Sequence, residues 1–422
     1  MNLRSYVKKE VHRGNQGYDP YMMLNIMLFA EMEGKHSDLR EIEKLCKTDI
    51  RYIWLSNEQT PSHMAFQRFE QKYLKKSIKA IFFEIAAHIA DLMGVDPSIQ
   101  YIDGSKFEAN AYKNSFVYKT RVVNARERLW GNITKTIILL NHEYGYCFPY
   151  HHRYCSQEIG YIVQYLMDIM VREEVEIVYG KGKRKSSFQK YYDKLLEYAL
   201  KLSEYEENLY ICGNRNSYSK TDHDATMMNT KYDYYNQTGV SKPCYNIQHA
   251  VSGGIVMNVG VYQTPGDTKT YIPFLEQNKE YHGFYPKWAI TDAGYGSYDN
   301  YFFNIENGIE LGMKYNYYAK KNDRKFMKKQ YNVMNWKKNE DGYKICPAGK
   351  VFDILLREEY DERGRYLKIN QRYGCEGCAE CERRKDCTKS SRRTITVNAI
   401  NEGFQRKVDE NLGTETGKEM KK

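Results

Sequence analysis

The sequence predicts an α/β (α+β) protein in which helices cover the faces of a mixed sheet. Two short apolar stretches, residues 98–106 and 286–296, each have the pattern of a strand that ends on an aspartate. From residue 242 the apolar period changes from helical to alternating, which is typical of a hairpin. Helical periodicity fills most of the remaining chain, so strands and helices follow one another as in a layered domain.

The region before the first strand is predicted to be all-helical. Pro20 suits the first position of one helix, and Asp38 begins a second. Thr60 is the predicted N-cap of a third, and a long fourth helix covers residues 74–93. Three short helices in succession fit a helix-turn-helix-like DNA-binding domain, and a plain helical cap on the next domain is the alternative.

The third predicted helix has two unlike sides. Phe66 and Phe69 lie on one side, and Arg68 and Lys72 lie on the other. Because an apolar side packs inward, the basic side remains for a partner. We expect Arg68 and Lys72 to contact DNA.

The sheet region is predicted from turn and cap signals. Ser252-Gly253-Gly254 marks a tight hairpin, Thr270 and Ser297 begin helices, and residues 309–315 form a further strand. A mostly helical insert separates this region from the first strand. The predicted boundaries are 1–95 for the helical N-terminal domain, 96–120 and 241–320 for the sheet domain, 121–240 for the insert and linker, and 321–422 for a cysteine-rich basic segment.

Asp103 and Asp292 are the predicted metal ligands. Each ends an apolar strand and precedes a turn of small residues. Carboxylates suit Mg²⁺, which keeps waters and substrate oxygens in its remaining positions. Two such ions can assist phosphodiester cleavage. The alternative is that each aspartate only caps the loop or helix after its strand.

Composition favours an anionic partner. The formal net charge is +10 over 422 residues, and nucleic acid is the first candidate. No run of about 18 apolar residues predicts a membrane span, and the N-terminus lacks an apolar signal core. We therefore expect a cytoplasmic protein without a membrane partner.

Four cysteines near the C-terminus have the spacing of metal ligands. Cys375, Cys378, Cys381 and Cys387 form C-x2-C-x2-C-x5-C, with Cys346 upstream. Thiolates at this spacing suit Zn²⁺, and a metal-free reduced loop is the alternative. The neighbouring basic residues predicted to touch DNA are Arg383, Arg384 and Lys385.

Asp222-His223-Asp224 is a second acidic cluster. Adjacent side chains cannot all point one way, so a structural turn is expected rather than a metal site. Asp267 is likewise expected to lie in a turn or at a helix start.

Several longer motifs resemble a known family. They are YIDGSKFEANA (101–111), GNRNSYSKTDHDATMM (213–228), KPCYNIQHAVS (242–252), TPGDTKTYIPFLE (264–276) and TDAGYGS (291–297). The chain resembles bacterial insertion-sequence transposases of the DDE type, and residues 18–44 resemble the helical DNA-binding domain of that family.

The resemblance implies an RNase H-like catalytic domain with a helical insert. It also implies Mg²⁺ or Mn²⁺ as cofactor, with Asp103 as the first catalytic acid and Asp292 as the second. The implied partners are double-stranded DNA, at the terminal inverted repeats and the target, and a second copy of the chain in a homodimeric synaptic complex.

One departure from the family pattern concerns the third acid, a glutamate in a late Val-Glu-x-x-Phe-Gly segment. Four late glutamates, Glu402, Glu410, Glu415 and Glu419, lack the right neighbours. We therefore expect a chain truncated before that glutamate and impaired alone. The alternatives are a DNA-binding remnant without catalysis and an RNase H-like nuclease without strand transfer.

Overall fold

The computed structural model describes residues 2–8, 17–34, 38–175, 177–180, 184–230 and 239–420. The chain divides into two compact units. The first unit comprises Met1–Asp103, Gln248–Gly260 and Thr268–Lys422, and the second comprises Gly104–Ile247 and Val261–Asp267.

The N-terminal region is helical, as predicted. Its helices are α1 (Pro20–Met32), α2 (Leu39–Thr48), α3 (Ile50–Leu55), α4 (His63–Phe69) and α5 (Lys75–Leu92). Pro20 opens α1, and the Asp38 carboxylate caps α2 by accepting from the backbone N–H groups of Arg40 and Glu41. The Thr60 prediction is wrong, because α4 begins two residues later behind Ser62, which has extended backbone.

The remaining helices are α6 (Lys119–Tyr144), α7 (Ser156–Arg172), α8 (Ser187–Cys212), α9 (Tyr271–His282), α10 (Tyr298–Glu306), α11 (Arg324–Met327), α12 (Arg384–Cys387), α13 (Ala399–Gly413) and α14 (Glu415–Glu419). The strands are β1 (Ile99–Glu108), β2 (Phe116–Tyr118), β3 (Ser217–Ser219), β4 (Thr226–Thr230), β5 (Val240–Ser252), β6 (Ile255–Tyr262), β7 (Trp288–Ile290), β8 (Ile354–Asp361), β9 (Lys368–Gly374) and β10 (Ile395–Val397).

The sheet of the first unit is mixed. Its strand order is β6-β5-β1-β7, and β1 and β7 run parallel. The predicted hairpin joins β5 to β6 through Gly253 and Gly254, whose φ angles of 53° and 85° suit a two-residue turn that glycine adopts freely. Thr270 precedes α9, and the Ser297 hydroxyl caps α10 by accepting from the Asn300 N–H. These predictions are confirmed.

Two strand predictions need correction. β1 continues to Glu108, so Asp103 lies in the middle of the strand and not at its end. Residues 309–315 form isolated parallel bridges, Trp288 to Glu310 and Thr291 to Met313, in place of a strand. The Gly312 N–H bonds back to the carbonyl of Glu310, and this local turn interrupts the ladder.

The helices of the first unit bury a large apolar core. Among its fully buried members are Leu24, Ile26, Tyr52 and Phe66. Phe83 of α5 stacks face to face on Tyr281 of α9, with ring centroids 4.4 Å apart. This contact fastens the N-terminal helices to the helix that follows the hairpin.

The second unit is built around the long helices α6, α7 and α8. Buried aliphatic residues such as Ile133, Ile159 and Leu195 form its core. The Trp130 indole N–H donates to the carbonyl oxygen of Tyr154 at 2.8 Å and fixes the loop before α7. Two antiparallel pairs, β2 with β3 and β4 with β5, complete this unit.

The C-terminal part of the first unit contains a small antiparallel sheet in the order β10-β9-β8. A compact cluster of Trp336, Phe352 and Ile395 lies beneath it. α13 packs through Phe404 against the aromatic residues of α10. Among the described residues, no helix has the length and apolar character to cross a membrane.

Candidate active site

The parallel pairing of β1 with β7 aligns the two predicted acids. Its register matches Ile99 with Trp288 and Tyr101 with Ile290. Continued for two residues, the same register aligns Asp103 with Asp292. Neighbouring strands lie about 4.8 Å apart, and residues aligned on parallel strands project from the same face. The pairing itself ends at Tyr101 and Ile290, so Asp103 lies two residues further along β1 and Asp292 lies two residues past the end of β7.

The burial pattern of β1 shows which face carries them. Gln100 and Ile102 are buried, whereas Tyr101 and Asp103 are exposed. Since side chains alternate along a strand, Asp103 projects on the face opposite to the apolar packing. Asp292 is exposed as well. Both acids are thus accessible to solvent and to a ligand.

A short loop holds Asp292 in place. Its carboxylate accepts from the backbone N–H of Gly294 at 2.8 Å. The Thr268 hydroxyl donates to the carbonyl oxygen of Gly294 at 2.8 Å, and the Asn300 amide donates to that of Tyr295 at 2.7 Å. Tyr295 in turn donates its hydroxyl to the Gln248 side chain. These contacts give the loop a defined conformation.

This loop needs a small residue at position 296 for a steric reason. A β-carbon on Gly296 would lie 2.6 Å from the Tyr301 hydroxyl and 2.7 Å from the carbonyl oxygen of Lys314. Both distances are far shorter than real contacts, so a side chain at this position would displace the backbone. Burial also raises the pKa of Tyr301, which keeps this neighbour neutral.

Sequence reasoning missed Thr268, Asn300 and Gln248 as residues that position the loop. Thr268 and Gln248 lie within the motifs at 264–276 and 242–252, and Asn300 follows the motif at 291–297. In the sequence, the signal that could have drawn attention to these residues was their position in or next to the motifs. Their contacts with the loop could not be read from spacing, because Thr268 and Gly294 are distant in sequence.

The Asp222-His223-Asp224 cluster forms a turn, as expected. The Asp222 carboxylate accepts from the Asp224 N–H at 3.1 Å and from the Tyr245 hydroxyl at 2.7 Å. Asp224 accepts from the Gln263 amide. Asp267 begins a 3-10 turn and accepts from the Asn246 amide at 2.7 Å. Within the second unit these carboxylates therefore stabilise local structure.

The carboxylate oxygens of Asp103 and Asp292 are of the type that Mg²⁺ prefers. Within the described ranges, no three His, Cys, Asp or Glu side chains already form a group that could hold a metal ion. The donor chemistry of the two acids fits a divalent ion.

The predicted cysteine ligands are brought together by the fold. Cys375, Cys378, Cys381 and Cys387 line one cavity, and Cys346 joins them. Burial raises the pKa of the Cys375 thiol to about 12 and also raises the pKa of Cys387.

The predicted DNA-contacting residues occupy two places in the first unit. Arg68 is exposed on α4, and Lys72 is exposed on the π-helical turn that follows. Arg383 precedes α12 and donates to the carbonyl oxygen of Pro347 at 2.9 Å, while Arg384 donates to that of Ser390. Lys385 is exposed.

Comparison with known families matches both ends of the chain. A family model described as a transposase DDE domain matches residues 345–422. A second, described as a transposase domain (DUF772), matches residues 2–72. The two matches support an insertion-sequence transposase of the DDE type. No curated protein and no solved structure matches it.

The mixed sheet and helical regions of the chain are consistent with an RNase H-like DDE domain. The family acts in DNA transposition, which makes DNA the partner to expect and a divalent metal the usual cofactor. Neither match spans Asp103 or Asp292. The roles of these two acids therefore rest on the geometry of the site.

Proposed function

We propose that this transposase cleaves DNA at the ends of an insertion sequence and joins the freed 3′ ends to target DNA, with Asp103 and Asp292 as its metal ligands. The observation that carries the proposal is the parallel pairing of β1 with β7. Continued by two residues, its register would bring Asp103 and Asp292 to one sheet edge. Both acids are exposed, so DNA can reach them.

The two carboxylates would hold Mg²⁺ or Mn²⁺ through oxygen. When bound, the ion supplies Lewis acidity at phosphate oxygens and lowers the pKa of bound water. Water would attack the phosphodiester at the element end and give a 5′-phosphate and a free 3′-hydroxyl. That 3′-hydroxyl would then attack a target phosphodiester, form a new phosphodiester bond and displace the 3′-hydroxyl of the target strand. No Ser or Tyr nucleophile is required, because neither step forms a bond between protein and DNA.

The remaining residues position the acids and the DNA. The contacts of Thr268 and Asn300 hold the loop after β7 so that the Asp292 carboxylate keeps one orientation. Arg68 and Lys72 bind the terminal repeats from the N-terminal domain, residues 1–95. Residues 96–120 and 241–320 form the catalytic core, and residues 121–240 form its insert.

The basic residues of the C-terminal segment, 321–422, provide further contacts. Arg383, Arg384 and Lys385 lie close together in sequence around α12, and we assign them to phosphate binding. Synapsis of two ends requires two copies of the chain, so the working form is a homodimer on DNA in the cytoplasm. Phosphate contacts make its binding steeply dependent on salt.

The test replaces each acid by its amide. Asp103→Asn and Asp292→Asn remove one anionic ligand each with little change of shape. We expect cleavage and strand transfer in Mg²⁺ to fall more than about 100-fold while DNA binding is retained, since a metal ligand matters at least as much as the groups that orient it. Asp91→Asn, an exposed aspartate on α5, is the matched control.

A metal-specificity readout separates a ligand from a structural residue. Asp292→Cys should recover activity in Mn²⁺ but not in Mg²⁺, because a thiolate favours the softer ion. Mn²⁺ binding, followed by water proton relaxation, should weaken in both amide variants without any DNA present. The assays use the 422-residue chain and a version with any codons that follow residue 422 in the gene. Unchanged Mn²⁺ binding in both variants contradicts the proposal.

A further inference from the structure

Five thiols converge on one small cavity in the C-terminal part of the first unit. Cys346, Cys375, Cys378, Cys381 and Cys387 all line it. Its volume is about 20 Å³, which is room for about one water-sized occupant. A cavity of this size, surrounded by sulfur, fits a single ion better than an iron–sulfur cluster.

Three separate segments form the walls, and hydrogen bonds tie them together. Cys346 begins a tight turn in which its N–H donates to the carbonyl oxygen of Lys350 at 2.9 Å. The Lys350 ammonium reaches the carbonyl oxygen of Gly377, between two of the clustered cysteines, at 2.5 Å. Arg383 donates to the carbonyl oxygen of Pro347 at 2.9 Å. The thiols are therefore held around the cavity by their backbones.

Two of the sulfurs also have Arg393 as a neighbour. The backbone N–H of Arg393 donates to the Cys378 sulfur at 3.2 Å, and the Arg393 guanidinium lies 4.0 Å from the Cys387 sulfur. Donors to the sulfurs are what a metal site with thiolate ligands requires around it.

The surrounding structure has little core of its own. Most of β8 is exposed, and the buried cluster beneath the small sheet consists of Trp336, Phe352 and Ile395. Small units of this kind commonly depend on a metal or disulfides for stability. All five cavity cysteines are free thiols, so no disulfide performs this role.

We propose that this cavity binds one structural Zn²⁺ through four thiolates. Cys346 and Cys387 contribute from two different chain segments, and Cys378 contributes the sulfur that accepts from Arg393. Either Cys375 or Cys381 completes a tetrahedral set. As placed, the thiols are not yet in a metal-binding arrangement. Rotation about the single χ1 torsion of a cysteine moves its sulfur by about 3 Å and needs no backbone change.

The proposal adds Cys346 to the ligands that spacing suggests. Cys346 lies in another segment, and only the fold brings it to the cavity. The site is structural, so it is independent of the roles proposed for Asp103 and Asp292. Four sulfur ligands select zinc, and they differ from the hard oxygen ligands expected for Mg²⁺.

Elemental analysis of the full chain, purified without chelator, tests the proposal. We expect one zinc per chain in the wild type and in Asp103→Asn, and loss of zinc in Cys346→Ser, Cys378→Ser and Cys387→Ser. One of Cys375→Ser and Cys381→Ser, but not both, should also lose it. Cys147→Ser and Cys155→Ser, at exposed thiols of the second unit, are the matched controls and should keep it.

A second measurement avoids variants that fail to fold. Brief alkylation of the wild-type chain, read by mass spectrometry, should spare four of the five cavity thiols with zinc bound and modify them after chelation. Cobalt in place of zinc should give sulfur-to-metal absorption typical of tetrahedral thiolate. A zinc-free chain whose five thiols all react, an iron–sulfur cluster, or zinc retained by Cys346→Ser would each overturn the proposal.

Discussion

The hydroxyl of Thr268 donates to the carbonyl oxygen of Gly294 at 2.8 Å, and the N–H of Gly294 donates to the Asp292 carboxylate at the same distance. One glycine thus links a threonine before α9 to the acid after β7. The orientation of Asp292 therefore depends on these two hydrogen bonds as well as on the strand that precedes it.

Replacement of Thr268 by valine should therefore impair catalysis without touching a ligand. We expect cleavage to fall about 10-fold, as for other groups that orient a metal ligand, while unfolding free energy falls by only about 1 kcal/mol. Thr268→Ser keeps the hydroxyl and should restore most activity. Equal loss in both variants would show that the methyl group, and not the hydrogen bond, matters.

Gly296→Ala should destabilise the protein. The added methyl would meet the carbonyl oxygen of Lys314 at 2.7 Å, and backbone cannot move aside as a flexible side chain can. We expect a loss of about 1–3 kcal/mol in denaturant unfolding. Gly403→Ala on α13 is the control, because nothing lies within 4 Å of its new methyl. That change should be neutral or stabilise by up to about 1 kcal/mol.

Removing two charges from the N-terminal domain should weaken DNA binding in a salt-dependent way. Removal of one phosphate interaction lowers the slope of log K against log salt by about 0.9. The double change Arg68→Gln with Lys72→Gln should therefore reduce the slope by about 2. Lys135→Gln with Lys190→Gln removes equal charge from exposed positions of the second unit. An equal reduction of the salt slope in the two double variants would contradict a specific role for Arg68 and Lys72.

Glu43 should make the stability of the N-terminal domain dependent on acidic pH. Its carboxylate accepts from the Lys47 ammonium at 2.8 Å, from the His63 backbone N–H at 2.8 Å, and lies 2.7 Å from the His63 ring. These contacts, led by Lys47, lower the pKa of Glu43 from 4.5 to about 2.

The sign follows from the lowered pKa. A carboxyl group whose pKa is lower in the folded than in the unfolded protein stabilises the folded state at any pH above the pKa of the unfolded state. This stabilisation is lost as pH falls through the lower pKa of the folded state. The wild type should therefore be more stable than Glu43→Gln near neutral pH. The difference should shrink between about pH 4.5 and pH 2 in denaturant titrations. A difference that is constant over this window would contradict the pKa assignment.

Helix starts and tight turns could be predicted from the sequence because their signals are local. Pro20, Asp38, Ser297 and the Gly253-Gly254 turn act on backbone groups within a few residues of themselves. Their effect does not depend on the rest of the chain. The Thr60 prediction was wrong because Thr60 and Ser62 both suit a helix start, and α4 begins behind Ser62.

The extent of strands was less predictable. Residues 309–315 have a suitable apolar pattern, but pairing with β7 is limited to two bridges. β1 in turn extends past Asp103, where β5 is its neighbour and the pairing with β7 has already ended. A strand needs hydrogen bonds from a neighbour that is distant in sequence, so its ends depend on that neighbour.

The sequence alone determined that Asp103 and Asp292 each follow apolar strand residues, that the cysteines have ligand spacing, and that the motifs resemble the DDE transposases. Only the tertiary structure decided that β1 and β7 pair in parallel, that Thr268 holds the loop of Asp292, and that Cys346 lines the same cavity as the later cysteines. The physical reason is that local propensity acts over a few residues, whereas a site is made by strand pairing and packing between segments far apart in the chain.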